Sequence, residues 1–177
     1  VNKQTVLQLL TSGQDIPFVI PEYQRPYSWS DDEIITLFED LWEFSVERTQ
    51  PDGAKNYFLG CVVSYEENGE RQIIDGQQRI TSLFLLLRAV FSMLEKDDNQ
   101  TDEVKNFISK IKPALWKENE MTGKEDRSNI LLRSEVVTDS GNEILRRILE
   151  TGVADAKAKD NYSKNYNKFI ELYQGKA

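Results

Sequence analysis

The stretch Glu66-Glu67-Asn68-Gly69-Glu70-Arg71-Gln72-Ile73-Ile74-Asp75-Gly76-Gln77-Gln78-Arg79-Ile80-Thr81-Ser82-Leu83-Phe84-Leu85-Leu86-Leu87 decides how the chain is read. Asparagine and glycine both tolerate positive φ, so Asn68-Gly69 predicts a two-residue turn joining strands within 57–65 and 70–74. Counting outward pairs Glu67 with Glu70, Glu66 with Arg71, Ser64 with Ile73 and Val63 with Ile74. The hairpin then delivers Asp75 at its open end. From Ile80 to Leu94 apolar residues fall on nearly every side, the pattern of a central, buried helix.

A strand, a turn with glycine and the start of a buried helix is an arrangement in which free backbone amides and the helix dipole can bind an anion. Asp75 to Thr81 occupies that junction. Gly76 lets a phosphate approach the backbone, Arg79 can fork onto phosphate oxygens and Thr81 adds a hydroxyl. Gln77 and Gln78 offer donors that can orient a base, a ribose or a water. Asp75 is the one group in this loop able to hold magnesium or accept a proton. Spacing leaves a plainer reading open, in which Asp75 only caps the helix and Arg79 pairs with a surface carboxylate.

Upstream, Pro17 and Pro21 bound a short extended segment, Phe18-Val19-Ile20. The proline-stiffened loop that follows carries Gln24, Arg25, Tyr27 and Trp29, a second guanidinium among aromatic rings, which suits the base and phosphate of a nucleotide. The competing reading has Tyr23, Tyr27 and Trp29 filling the core with Arg25 stacked on them. Ser30-Asp31-Asp32-Glu33 has the pattern of a capping box, the hydroxyl accepting from the Glu33 amide and the carboxylate reaching back. Ile34, Leu37, Phe38, Leu41, Trp42 and Ser45 mark the inner stripe of the helix it opens. Before all this, Asn2 caps a short helix with Val6, Leu9 and Leu10 inside, ended by Gly13.

Downstream of the buried helix, 96–102 reads as a polar connector, and Val104 to Ile111 as a helix ended by Pro113. Trp116 to Arg127 reads as loop and Ile130 to Leu132 as a short strand. Asn142 to Leu149 forms a helix closed by Gly152, and Tyr162, Tyr166, Phe169, Ile170 and Tyr173 give the inner face of a last helix. The chain thus divides into a core of 1–95 and a helical extension of the same domain, 96–177.

Composition narrows the chemistry. The 177 residues include three Trp, seven Tyr and eight Phe, enough to build a core. Lys plus Arg number 22 against 30 Asp plus Glu, and the net charge of −8 gives bulk electrostatics that do not recruit DNA. There is no histidine, which excludes Ser-His-Asp and Cys-His catalysis, His-ligated zinc and any nuclease with an imidazole base. Cys61 is the single cysteine, read as a small buried hydrophobe in a reducing, cytoplasmic setting. The apolar run Leu83 to Leu87 stops at Arg88, far short of the roughly 20 residues of a membrane span. Val1 follows no charged-then-apolar leader and Gln174-Gly175-Lys176-Ala177 has no evident finish, so an excerpt of a longer protein is expected.

Taken together, Pro21-Glu22-Tyr23-Gln24-Arg25-Pro26-Tyr27-Ser28-Trp29, then Tyr57-Phe58-Leu59-Gly60, then Ile73 to Leu83 with its Asp-Gly-Gln-Gln-Arg core, resemble the domain of unknown function 262 family. This is the GmrSD-type restriction endonuclease N-terminal domain. Leu131-Leu132-Arg133 and Asn165-Tyr166-Asn167-Lys168-Phe169 resemble that family's continuation, so the likeness spans most of the chain.

The resemblance implies an α+β fold of the ParB and sulfiredoxin group: a small mixed sheet with a hairpin, packed by helices and followed by a mainly helical part. It implies binding of a nucleoside triphosphate, ATP, GTP or another, with Mg2+, and in some members its hydrolysis. It also implies work in bacterial defence against modified phage DNA. Carried over, Asp75, Gln77, Gln78 and Arg79 are the candidate catalytic group, and Gln24, Arg25, Tyr27, Trp29, Gly76 and Thr81 the candidate nucleotide contacts. Asp75 is the candidate metal ligand. The family's usual partner is a His-Asn-His nuclease, attached or separate, an activity that a chain without histidine cannot supply. Modified DNA would be met through the full-length protein, and a homo-oligomer is left open.

Two functions from different classes compete. One is a nucleotide hydrolase domain controlling that nuclease; the other is a sensor that binds nucleotide or modified DNA without turnover. Phosphotransfer to an acceptor shares the same pocket. Arg71, Arg79 and Arg88 lie close in sequence as DNA contacts, with no assurance of a shared face.

Overall fold

The computed structural model describes residues 2–47 and 56–176. Val1 and Ala177, the outermost residues of the two expected segments, lie outside them. The first helix, α1 (Val6–Thr11), is capped by Thr5 rather than Asn2: the Thr5 hydroxyl accepts the Gln8 N–H while the Gln8 side chain accepts the Thr5 N–H. A single 3-10 turn, Ser12–Gln14, leads to β1 (Phe18–Ile20), whose three residues are all buried. Being short and buried on both faces, β1 is the spine of the sheet.

Helix α2 (Asp31–Glu47) buries Ile34, Leu37 and Phe38, with Leu41 and Trp42 half-buried; Ser45 is exposed instead of joining the stripe. Its start differs in one detail from the expected box. The Glu33 carboxylate accepts the Ser30 N–H at 2.8 Å, and the Ser30 hydroxyl also donates to it at 2.9 Å, so both bonds converge on one carboxylate. These bonds hold the Glu33 carboxyl below the usual glutamate range.

The hairpin of β2 (Val63–Glu67) and β3 (Glu70–Asp75) turns at Asn68 and Gly69, both at positive φ. Glu67 faces Glu70, Glu66 faces Arg71 and Ser64 faces Ile73, as the sequence predicts. A register shift between Val63 and Ser64 then places Val63 opposite Asp75 rather than Ile74. This irregularity uses up one residue of the partner strand. Residues 57–62 run on without joining the ladder.

The last strand of the sheet, β6, is Leu132–Ser134, two residues beyond the expected start at Ile130. The sheet has the order β2-β3-β1-β6, with β1 parallel to both β3 and β6 and β2 antiparallel to β3. Against this sheet lies α3 (Gln77–Glu95), with Phe84 of the helix and Phe18 of β1 in edge contact at 6.0 Å.

α4 (Asp102–Leu115) runs through Pro113 instead of ending at it. Proline forfeits its own helical N–H, but Ala114 and Leu115 beyond it are both buried and hold the last turn in place. The stretch expected as loop is a second hairpin, β4 (Trp116–Glu118) with β5 (Glu125–Ile130). Polar residues suit it because it is a two-stranded ribbon with only Trp116 fully inside. α5 (Asn142–Thr151) closes at Gly152, and α6 (Asn161–Lys176) buries Tyr162, Tyr166 and Phe169 against α3 and α2, while Ile170 and Tyr173 are half-buried. The fold is therefore α+β with a small mixed sheet, and its later, mainly helical half contributes one strand to that sheet.

Two side chains depart from expectation. Cys61 is exposed, because residues 57–62 are not a covered strand. Arg88 is 1% exposed inside the core: its Nε donates to the Leu149 carbonyl at 3.1 Å and its Nη1 to the Ser92 hydroxyl at 2.5 Å. The carbonyl end of α5 supplies the negative partial charge that faces this guanidinium. Arg71 sits over the Phe18 ring at 5.0 Å and bonds Ser12. The three arginines of 71–88 thus do not form a shared DNA-facing surface. No helix among the described residues is long and apolar enough to cross a membrane.

Candidate functional site

α3 starts at Gln77, three residues before the apolar pattern does, with Gly76 as its N-cap at φ 88° and ψ 11°. That start fixes where each side chain leaves the helix. At about 100° per residue, Gln77 and Thr81 share one face and Arg79 leaves on roughly the opposite one.

Gln77 and Thr81 line a small cavity of about 10 Å³. Arg25 and Tyr27 reach it from the loop between β1 and α2, Gln78 from α3, Ser134 and Val136 from the end of β6, and Tyr162 from α6. Three of these polar groups have no partner among the described residues: the exposed Arg25 guanidinium, the Gln77 carboxamide and the Thr81 hydroxyl. Thr81 is 1% exposed and its hydroxyl was taken from water with no partner in exchange, while Gln77, at 9%, keeps some contact with solvent. The first-turn amides of α3 also have no side-chain cap, and they carry the positive end of the helix dipole.

Gln78 is placed differently. Its oxygen accepts the Ser28 N–H at 2.8 Å and the Trp29 N–H at 3.3 Å, and its nitrogen donates to the Pro26 carbonyl at 3.0 Å. It ties the loop to the helix. Gln24 does similar work from the loop side, donating to the Ile74 carbonyl at 3.0 Å next to Asp75. Asn165 of α6 clamps the loop from behind, donating to the Tyr27 hydroxyl at 3.0 Å and the Trp29 carbonyl at 2.8 Å.

Tyr27 is core: its ring stacks on Tyr162 at 4.8 Å, and its hydroxyl meets Ser82 at 2.6 Å. Burial pushes its pKa up to about 12, so it stays neutral. Trp29 is half-buried against the core. The plain reading of these rings therefore holds for Tyr27 and Trp29, while Tyr23 is exposed and Arg25 stacks on none of them among the described residues.

Asp75 is exposed, with one carboxylate oxygen accepting the Gly76 N–H at 2.9 Å. Its other oxygen has no partner among the described residues. What approaches Gly76 is protein: a Cβ there would lie 3.0 Å from the Cys61 carbonyl oxygen and 3.2 Å from Val62 Cα. Arg79 does not line the cavity that Arg25 lines. Its Nη1 donates to the Cys61 carbonyl at 3.3 Å, and its guanidinium lies on Gly60, where a Cβ would come within 2.7 Å of it. No carboxylate pairs with it among the described residues.

The arrangement offers a rim cation, neutral donors within, and a carboxylate and a second cation on the flank. Along the whole of this architecture, the profile of the GmrSD restriction endonuclease N-terminal domain matches residues 6–176. The chain belongs to the GmrSD N-terminal domain family. No curated protein matches it by sequence. In this GmrSD domain both motif loops, around Arg25 and around Gly76, converge on the amino end of α3, with Gln78 as the joint between them.

Ser134, Val136, Tyr162 and Asn165 complete the candidate site from the later half of the chain. Sequence reasoning assigned them no function. The signal available was their position, Ser134 directly after Leu131-Leu132-Arg133 and Asn165 opening Asn165-Tyr166-Asn167.

Proposed function

We propose that this domain of a restriction-system protein binds a nucleoside triphosphate at the amino end of α3, hydrolyses it, and thereby controls an attached or partner nuclease that acts on modified DNA. The observation that supports the reading is the convergence of three unpartnered polar groups, Arg25, Gln77 and Thr81, on one cavity beside uncapped helix amides. Such groups are held in waiting for a polar ligand, and the amides and Arg25 favour a negatively charged one.

In this reading Arg25 binds phosphate oxygens at the rim and Arg79 does so from the opposite flank of α3. Gln77 orients the ligand or the attacking water. Gln78 positions Arg25 through the loop and does not touch the ligand. The donor set fits magnesium held mainly by phosphate oxygens, with the free oxygen of Asp75 as the protein ligand. Bound there, the ion would neutralise charge on the transferring phosphoryl group.

The test is a thermal-shift and phosphate-release titration with each common nucleoside triphosphate and magnesium. A nucleotide at about a hundred times its dissociation constant stabilises by roughly 2.7 kcal/mol. Arg79→Ala should weaken binding, and Asp75→Ala should keep binding and lose phosphate release. If no nucleotide shifts the melting temperature, the reading fails.

Binding without phosphate release by the full-length protein, with modified DNA present, would decide for the sensor reading.

A further inference from the structure

The Thr81 hydroxyl is a liability to the fold as it stands. It is buried without a partner, and a threonine in a helix ordinarily relieves itself on the carbonyl one turn back, which this one does not. Valine has the same shape and would remove the loss. The hydroxyl therefore serves something other than packing.

Its surroundings define what that is. Thr81 and Gln77 line the cavity from α3, and Ser134, half-buried at the end of β6 with its hydroxyl accepting the Val136 N–H at 3.5 Å, lines it from the sheet. All three are neutral, and the neighbouring Tyr27 and Tyr162 are neutral too. The one charged group lining the cavity, Arg25, is exposed. A phosphate oxygen taken inside would meet no charged side chain there, whereas a hydroxyl needs none. The space, about 10 Å³, is that of a single water-sized group. Hydroxyl and carboxamide groups can both give and accept, which is what a hydroxyl requires.

We infer that Thr81, Gln77 and Ser134 receive a sugar hydroxyl of the nucleotide while Arg25 meets its phosphates outside, so that the site selects ribonucleotides. This rests on the nucleotide reading above and makes the later half of the chain, through Ser134, part of ligand recognition.

The experiment is calorimetric titration of the whole protein, with magnesium, using the common ribonucleoside triphosphates, their 2′-deoxy and 3′-deoxy counterparts, and inorganic triphosphate. The wild type should bind at least one ribonucleotide about tenfold more tightly than a counterpart lacking one hydroxyl. Thr81→Val should weaken that ribonucleotide about tenfold, erase the preference, leave inorganic triphosphate unchanged and melt no lower than the wild type. Ser134→Ala should erode the same preference and serves if the first variant does not fold. An unchanged preference in both variants, or an equal loss for inorganic triphosphate, overturns the inference. Wild-type binding with no preference between sugars sinks the inference alone; no binding of any nucleotide sinks the nucleotide reading and takes the inference with it.

Discussion

The carboxamide of Gln78 holds Ser28: its oxygen accepts the Ser28 N–H at 2.8 Å while its nitrogen donates to the adjoining Pro26 carbonyl at 3.0 Å. One buried side chain thereby fixes the distance between the loop that carries Arg25 and the helix that carries Gln77 and Thr81. Gln78→Ala should strand two loop amides and a carbonyl, at a cost of about 1–3 kcal/mol. Urea unfolding measures that loss. The same variant should show faster amide exchange across 26–29, and a wild-type exchange rate there would refute the tie.

Arg25 behaves in the opposite way. It is exposed and unpartnered among the described residues, so Arg25→Ala should change stability by less than about 0.5 kcal/mol. Nucleotide affinity should nevertheless drop at least tenfold. Paired melting and binding curves on the one variant separate the two effects.

Gly76→Ala and Gly69→Ala form a matched pair. Both glycines are left-handed, at φ 88° and 76°, so each substitution carries about 1–2 kcal/mol of backbone strain. Only at Gly76 would the new methyl meet backbone, 3.0 Å from the Cys61 carbonyl oxygen, whereas nothing lies within 4 Å at Gly69. Gly76→Ala should therefore be clearly the more destabilising of the two in denaturant titrations. Equal losses would mean that the segment 60–62 is not seated on the start of α3.

Alkaline pH should loosen the region through its tyrosines. Burial raises Tyr27 to about 12 and, with the Asp139 carboxylate beside it, raises Tyr162 as well. An unfolded tyrosine titrates near 10. Because the folded state holds these protons more tightly, their contribution is complete below about pH 10 and is lost as the pH climbs from there through 12. Tyr27→Phe should flatten the alkaline limb of a stability-versus-pH curve; a limb of unchanged steepness would exclude Tyr27 as its source.

Arg88→Ala should cost about 3 kcal/mol or more, since it removes a large buried side chain and its bond to the Leu149 carbonyl. Arg88→Met, which refills much of the volume, should cost less. Chemical denaturation of the two variants checks the order.

Local patterns were readable wherever one residue pair or one spacing settled the geometry. Asn68-Gly69 set the hairpin register as far as Ser64, and the prolines around Phe18–Ile20 marked the central strand. What escaped depended on partners far along the chain. Nothing in 116–130 announces that a polar ribbon will be held by a buried Trp116, or that Leu132–Ser134 will be the neighbour of β1. Pro113 was misleading because burial of the two residues after it outweighs its own helix-breaking tendency. In the Asp-Gly-Gln-Gln-Arg core, residue types named a polar loop, but roles followed from where the helix begins. A start at Gln77 sends Gln77 and Thr81 to the cavity, Gln78 to the loop and Arg79 away from both.

The clamp from Asn165 has a practical corollary for anyone dissecting this chain. A fragment ending at residue 95 would keep the hairpin and α3, yet it would lose the strand flanking β1 on one side and the amide that seats Tyr27 and Trp29. Expressed alone it should give a sticky, ligand-blind remnant, and a protease cut near residue 152 should silence the pocket while sparing every residue of both motifs.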